Sequence, residues 1–338
     1  MHFMKICLVR NDKMGDMILT LPVVQGLKEA NQDYKIDIVC SKKNQKICKN
    51  YKSINKMFLL QNKFYQVLKI ISKLRNENYD YIFTFSPGIY SILISIFSKS
   101  KIKSLLIFKS RYKNYYMSKF FDRILGKIFF THHLIIDRQL RYSKKITIHQ
   151  TEIMMELVNK NGLNCNNTAE IKNEFGFNKI ELSSKKLCLI HLSSKWINKY
   201  FSEENFINLL DNLKNLKINI VITTDGTSKN VFYEIFKKYE IVTNKEFENL
   251  KSINNVLILD QLNFDNWTSI INSSTYVITP ECGCTHIASL SEAKLCVIYD
   301  SDNVPGMIAE EYAPWKKKYT KLFSNNKNLE KELISFIS

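Results

Sequence analysis

Two doubly wound α/β domains, each built on a parallel sheet buried on both faces, are what this sequence predicts. Three observations carry that expectation. Short, near-continuous Ile/Val/Leu runs alternate with helix-like stretches, which is the mark of parallel strands covered by helices on both sides. The rhythm stops near residue 165 and restarts after about residue 180, so there are two such series rather than one. A chain of 338 residues, 45% hydrophobic and 24% charged, is long enough for two cores.

In chain order, the first series places strands at Ile6–Val9, Ile36–Val39, Met57–Leu60, Tyr81–Phe85 and Leu105–Phe108. An amphipathic helix over about Thr147 to Lys160 follows, with Ile148, Thr151, Met154, Met155 and Val158 along one side. The polar run Gly162-Leu-Asn-Cys-Asn-Asn-Thr168 ends it, and the domain boundary is expected between Gly162 and Lys186, giving domains of 1–170 and 180–325. The second series places strands at Leu187–His191, Ile218–Thr223, Val256–Leu259, Tyr276–Thr279 and Leu295–Tyr299. The tail, 326–338, reads as a short helix expected to pack back on the first domain.

Two strand–loop–helix junctions stand out, one near each end, and imply two nucleotide-type domains facing each other across a cleft. In the first, Lys5–Val9 runs into Arg10-Asn-Asp-Lys13-Met-Gly15-Asp16 and then an apolar helical stretch. In the second, Tyr276–Thr279 runs into Pro280-Glu281-Cys282-Gly283-Cys284-Thr285-His286. A loop that feeds a helix straight after a strand aims backbone N–H groups and the positive dipole end at one spot, which suits a phosphate. Glycine lets a ligand approach the backbone there, and Thr285 adds a hydroxyl.

The net charge of +17 admits nucleic acid, an anionic membrane surface or acidic small substrates as partners. No recognition-helix pattern, RNP-like strand or basic arm is present, so nucleic acid is not expected. From Lys99 to Lys145 the chain is dense in Lys, Arg, Phe and Tyr, as in Lys109-Ser-Arg-Tyr-Lys-Asn-Tyr-Tyr116. Such a surface suits anionic headgroups or a phosphorylated acceptor, and equally a solvated face with half-buried rings. Met1 to Lys5 leads directly into a strand with no signal-peptide pattern, and Ile82–Phe97 is too short to span a bilayer. The expected location is cytoplasmic, with peripheral attachment to the inner membrane face.

Eight cysteines sit mostly within apolar strands, with no spacing that implies disulfides. Cys282, Cys284 and His286 invite a zinc reading, but C-x-C-x-H in one loop lacks both the C-x2-C spacing and a fourth ligand, so no metal and no cofactor is expected.

These residues carry a resemblance. Lys5-Ile-Cys-Leu-Val-Arg10, Gly15-Asp16, Thr20-Leu-Pro22 and Leu27-Lys28 resemble the opening of the family 9 glycosyltransferases, the heptosyltransferases. His191-Leu-Ser193-Ser194 and Lys199 are similar to that family's strand-end His, hydroxyl pair and Lys. Glu281-x-Gly283-x-Thr285-His286 resembles its D-T-G-x-x-H loop. The resemblance implies a GT-B fold, donor bound mostly on the second domain and acceptor on the first. It implies inverting transfer of a heptose from ADP-heptose to the inner core of lipopolysaccharide, a lipid-linked acceptor. It also implies Asp16 as base with Arg10 orienting it or binding acceptor phosphate, and Gly15 and Lys13 on the acceptor side. On the donor side it implies Ser193, Ser194, Lys199, Glu281, Cys282, Gly283, Thr285 and His286, with Gly226 of Thr224-Asp-Gly226 where the adenosine would lie.

Read from the residues alone, Asp16 is more readily a cap for the helix that follows, and only the resemblance turns it into a base; Lys199 reads as a surface lysine and Gly226 equally as a turn glycine. The sequence also departs from the family. Its Asp-Thr is Glu281-Cys282 here, its G-P-T-D-P loop is Asp300-Ser-Asp-Asn303, and polar residues after the fourth strand are Thr84-Phe-Ser-Pro-Gly88. A UDP- or GDP-linked donor, a different acceptor, or a non-catalytic nucleotide-binding relative are the other readings.

Overall fold

The computed structural model describes residues 3–61, 63–86, 88–109, 124, 126–172, 175, 177–182, 185–224, 231–301 and 307–338. They form two units, Met1–Phe175 and Gly176–Ser338.

In the first unit six parallel strands follow the order β3-β2-β1-β4-β5-β6: β1 Lys5–Val9, β2 Lys35–Ser41, β3 Lys56–Leu60, β4 Tyr79–Thr84, β5 Ser100–Phe108 and β6 His132–Ile136. Ile6–Val9 and Ile36–Cys40 are buried throughout, as strands covered on both faces must be. The chain leaves β1 toward β2 and β3, then returns to place β4 on the other side of β1. The crevice between the carboxyl ends of β1 and β4 is therefore the topological switch point, where doubly wound sheets bind ligands. Register sets Val9 against Thr84 and Val39.

Helix Leu21–Ala30 packs against helix Gln150–Asn159, whose Thr151, Met154, Met155 and Val158 are buried as the sequence pattern requires. Where the segment after that helix crosses Leu21–Ala30, Gly26 is needed: a Cβ would stand 2.7 Å from both Asn166 O and Cys165 Sγ.

The second unit carries seven parallel strands in the order β13-β12-β11-β7-β8-β10-β9. These are β7 Leu187–His191, β8 Asn219–Thr223, β9 Glu240–Thr243, β10 Val256–Asp260, β11 Tyr276–Pro280, β12 Lys294–Tyr299 and β13 Thr320–Phe323. Its switch point lies between β7 and β11, paired with Ile190 opposite Ile278. Trp196, Phe206 and Phe232 anchor its core.

Three strands went unread in the sequence, β6, β9 and β13. All three are edge strands, short and partly exposed, and they lack the continuous apolar run of an interior strand. The tail helix is Leu329–Ile337. Leu329, Leu333 and Ile337 are buried in the second unit's own core, against helix Glu203–Lys214 and β13. Among the described residues no helix is long and apolar enough to cross a membrane.

Candidate functional site

On the first unit, the residue after β1 organises the switch-point crevice. Arg10 is only 3% exposed. Its guanidinium donates from Nη1 to Phe85 O at 2.8 Å and from Nη2 to Asp16 Oδ1 at 2.9 Å, and Nε lies 3.4 Å from Asp12 Oδ1. The planar fork thus ties the loop after β1 to the loop after β4. Asn44, fully buried, donates to Arg10 O at 3.0 Å and fixes the backbone below it. The buried guanidinium therefore faces two carboxylates and a carbonyl at once.

Asp16 lies in the short helix Met14–Ile18, and its side chain keeps 20% exposure. Its Oδ2 accepts the Lys13 N–H at 3.3 Å, so it does cap that helix, while Oδ1 faces Arg10. The two readings of Asp16 are therefore not exclusive. Gly15 is buried within the helix and Lys13 is exposed just before it. Asp12 and Ser86, which the sequence reading did not single out, complete the crevice. Ser86 Oγ hydrogen-bonds Asp12 and accepts Asn11 N–H at 3.2 Å. The available signal was the second acid in Asn11-Asp12 and the serine at the exit of β4.

On the second unit, three loops meet at the carboxyl ends of β7, β11 and β12. His191 closes β7 with Nδ1 3.0 Å from Thr223 Oγ1, and its carbonyl accepts Trp196 Nε1–H at 2.8 Å. A π-helical turn, Trp196–Tyr200, follows and presents Lys199, which is ion-paired with the buried Asp300 after β12. Lys195, missed in the sequence although it directly follows the serine pair, donates to Glu281 O at 3.0 Å and lies 3.4 Å from Glu281 Oε2. Ser193 Oγ is buried with no hydrogen-bond partner among the described residues, and Ser194 is exposed.

The loop after β11 is braced internally. Thr285 is fully buried; its hydroxyl donates to Pro280 O at 3.1 Å and accepts Cys282 N–H at 3.3 Å. It shapes the loop rather than facing outward, and His286 is likewise buried behind it. Gly283 is different. A Cβ built on it meets nothing within 4 Å, so the space in front of that backbone is open. Beside it Cys282 is half-buried, with Sγ 3.4 Å from Thr279 Oγ1. Burial pushes this thiol up, but His191 and Thr279 outweigh burial and hold it below its ordinary range. Cys284, two residues on, is driven well above that range by burial.

Arg10, Asp16, Gly15 and Lys13 thus gather at one switch point, and Ser193, Ser194, Lys199, Glu281, Cys282 and Gly283 at the other. Gly226 falls outside the described residues, as do 110–123 and 125 of the basic aromatic segment and 302–306 after β12. A separate concavity of about 500 Å³, bordered by Lys179, Leu187, Thr275 and Lys294, opens at the amino ends of β7, β11 and β12, the opposite end of that sheet.

Comparison with known proteins agrees with this architecture. The family model for glycosyltransferase family 9 (heptosyltransferase) matches residues 67–334. That match begins after the Arg10–Asp16 junction. A curated relative, lipopolysaccharide heptosyltransferase 1 of Campylobacter coli, is 30% identical over 95 residues, which is 27% of this chain and 28% of that protein's length. Among solved structures, the ADP-heptose lipopolysaccharide heptosyltransferase II of E. coli superposes with a TM-score of 0.70 at 12% identity, over 99% of this chain and 97% of that one. E. coli heptosyltransferase WaaC with ADP gives 0.67 at 14% identity, over 99% and 100%. At those identities the structural matches speak for the fold, two parallel-sheet α/β units of GT-B type. With the family model spanning most of its length, the chain belongs to glycosyltransferase family 9, the heptosyltransferase family.

Proposed function

We propose that this protein is an inverting glycosyltransferase that moves a heptose from ADP-heptose to a saccharide of the lipopolysaccharide core. The observation that carries the reading is the Arg10–Asp16 pair at the first unit's switch point: a carboxylate partly open to solvent, aimed by a buried guanidinium. Asp16 takes the proton of the acceptor hydroxyl as that oxygen bonds the anomeric carbon. The bond from that carbon to the donor's diphosphate breaks in the same displacement, the configuration inverts, and ADP leaves carrying the electron pair.

Charge on the departing diphosphate must be met by fixed donors. The backbone at Gly283, open to approach, the Ser193 hydroxyl and the ammonium groups of Lys195 and Lys199 are the groups available on the second unit. Both lysines hold carboxylate partners here, so a diphosphate would compete with Glu281 and Asp300 for them. That competition, with Glu281-Cys282 in place of Asp-Thr, is where the donor's identity can depart from the family.

Thermal stabilisation by a panel of ADP, UDP, GDP and CMP tests the donor, because a ligand that binds only the folded state raises its melting temperature with concentration. ADP should give the largest shift; preference for UDP or GDP would replace the donor while keeping the reaction. Turnover then tests the base. Asp16→Asn should lower kcat by ~10²–10⁴-fold with the ADP shift retained, and unchanged turnover would remove Asp16 from the chemistry.

A further inference from the structure

All eight cysteines lie among the described residues, and seven of them are buried. Cys282 is the exception, half-buried in the loop after β11. Beside it the backbone of Gly283 faces open space, where a Cβ would meet nothing within 4 Å. A small reagent entering that space finds one thiol within reach, since Cys284 is buried behind the loop.

The groups around that sulfur are polar and come from two strands. Thr279 of β11 holds its Oγ1 3.4 Å from Cys282 Sγ. His191, which closes the neighbouring β7, hydrogen-bonds the same sulfur, and the Cys284 N–H points at it too. The imidazole is itself fixed: Thr223 Oγ1 lies 3.0 Å from Nδ1, and the Trp267 ring packs 5.8 Å away at 51°. With Nδ1 engaged by Thr223, Nε2 is the nitrogen left for the thiol. Burial by itself would raise the Cys282 thiol, yet the imidazole and Thr279 bring it below its ordinary range. Cys188 and Cys296, inside the strands, have no such partners, and burial pushes both up. A thiol that is partly open and paired with an imidazole is the setting in which cysteine becomes nucleophilic.

From this arrangement we infer that Cys282 is a modification site, where a hydroperoxide converts the thiol to a sulfenic acid with His191 as proton carrier. His191 takes the thiol proton, and the sulfur attacks the terminal oxygen of the peroxide. An S–O bond forms as the O–O bond breaks. The departing oxygen receives the proton from His191 and leaves as water, or as an alcohol when the peroxide is organic. Sulfur gives up two electrons and the peroxide accepts them. Two molecules of a small thiol reverse the change: the first condenses with the sulfenic acid to a mixed disulfide and water, and the second displaces Cys282 from that disulfide. Cys284, buried and with its thiol driven well above the ordinary range by burial, is a poor internal substitute for them.

The oxygen added to Cys282 enters the space in front of Gly283. The consequence for the donor rests on the proposed reaction: if a diphosphate approaches that backbone, oxidation blocks it and a small thiol restores it. The modification itself requires no donor. Threonine, which the family's loop carries where this chain has Cys282, cannot take this step, so the substitution adds a chemistry the loop otherwise lacks.

The test treats the full chain with hydrogen peroxide in the presence of dimedone, which traps sulfenic acids, and maps the adduct by mass spectrometry. The adduct should fall on Cys282, with Cys188 and Cys296 unlabelled. His191→Gln retains a hydrogen-bonding group for Thr223 but cannot carry the proton, and should slow labelling by about ten-fold or more through a smaller thiolate fraction. Cys282→Thr should give no adduct. Melting temperatures of both variants separate lost chemistry from lost folding. In parallel, the thermal shift given by ADP should be lost after peroxide and return with dithiothreitol. Cys282→Thr should keep after peroxide whatever shift it shows before. No adduct on Cys282, labelling spread over the buried thiols, or an unchanged rate in a folded His191→Gln would overturn the inference. So would an ADP shift that survives complete oxidation of Cys282, or one that peroxide removes from Cys282→Thr. Absence of an ADP shift in the reduced protein, with Cys282 still oxidised, would instead strike the proposed donor.

Discussion

Asp16 belongs to two networks at once, and that is what makes it informative. One oxygen accepts Lys13 N–H and starts a helix; the other is pinned by Arg10, which also reaches Asp12 and Phe85 O. A cap alone needs no buried guanidinium. Gly283 offers a cleaner experiment, because its backbone lacks the left-handed conformation that would require glycine and its Cβ would enter open space. Gly283→Ala should therefore leave the melting temperature unchanged or slightly higher while weakening ADP binding, read by titration. Equal ADP affinity would mean that no ligand approaches that backbone.

Cys282 gives the pH signature. Its thiol sits below the ordinary thiol range because His191 and Thr279 outweigh the opposing effect of burial. Alkylation by iodoacetamide should label Cys282 at pH values below ~8.5, the ordinary thiol value, while the buried Cys188 and Cys296 stay unlabelled, and ADP should protect it. The linkage runs the same way. A depressed acid contributes stability above its unfolded value, and that contribution is lost as pH falls through the folded value. Cys282→Ser should therefore flatten the second unit's stability over that window.

Among the elements, the tail helix Leu329–Ile337 shows what periodicity leaves open. Its apolar stripe was legible, but the partner of that stripe was not, since an amphipathic face fits any apolar surface of similar shape. The partner is the second unit's core, where Leu333 is fully buried. Leu333→Ala should cost ~2–5 kcal/mol, visible as a lower melting temperature of the ADP-stabilised transition. An effect confined to the first unit would contradict the packing described. Edge strands β6, β9 and β13 escaped notice for a related reason: a strand paired on one side only needs no continuous apolar run.

For the molecule as a whole, the division of charge predicts a division of salt response. Residues 1–175 hold 30 Lys and Arg against 13 Asp and Glu, a net of +17, whereas residues 176–338 hold 19 of each. A unit so charged repels itself, and salt screens that repulsion over a Debye length of ~10 Å at 0.1 M. Calorimetry at rising ionic strength should raise the first unit's transition while moving the second, whose charges balance, far less. Parallel shifts of both transitions would refute this.

By itself the sequence determined the two parallel-sheet units and the two strand–loop–helix junctions, because buried strands and strand–loop–helix turns write themselves in local pattern, and the order of its motifs determined the family. Arg10, Asp16 and Gly283 stood out in those junctions, whereas Lys199 was picked out only by the family resemblance. Only the tertiary structure decided which groups answer them: Asp12 and Phe85 O on Arg10, Asp300 on Lys199, and Lys195 on Glu281. It also turned Thr285 inward to brace its own loop. Those partners come from loops up to a hundred residues apart, brought together where the order of strands reverses, and no local spacing encodes that meeting.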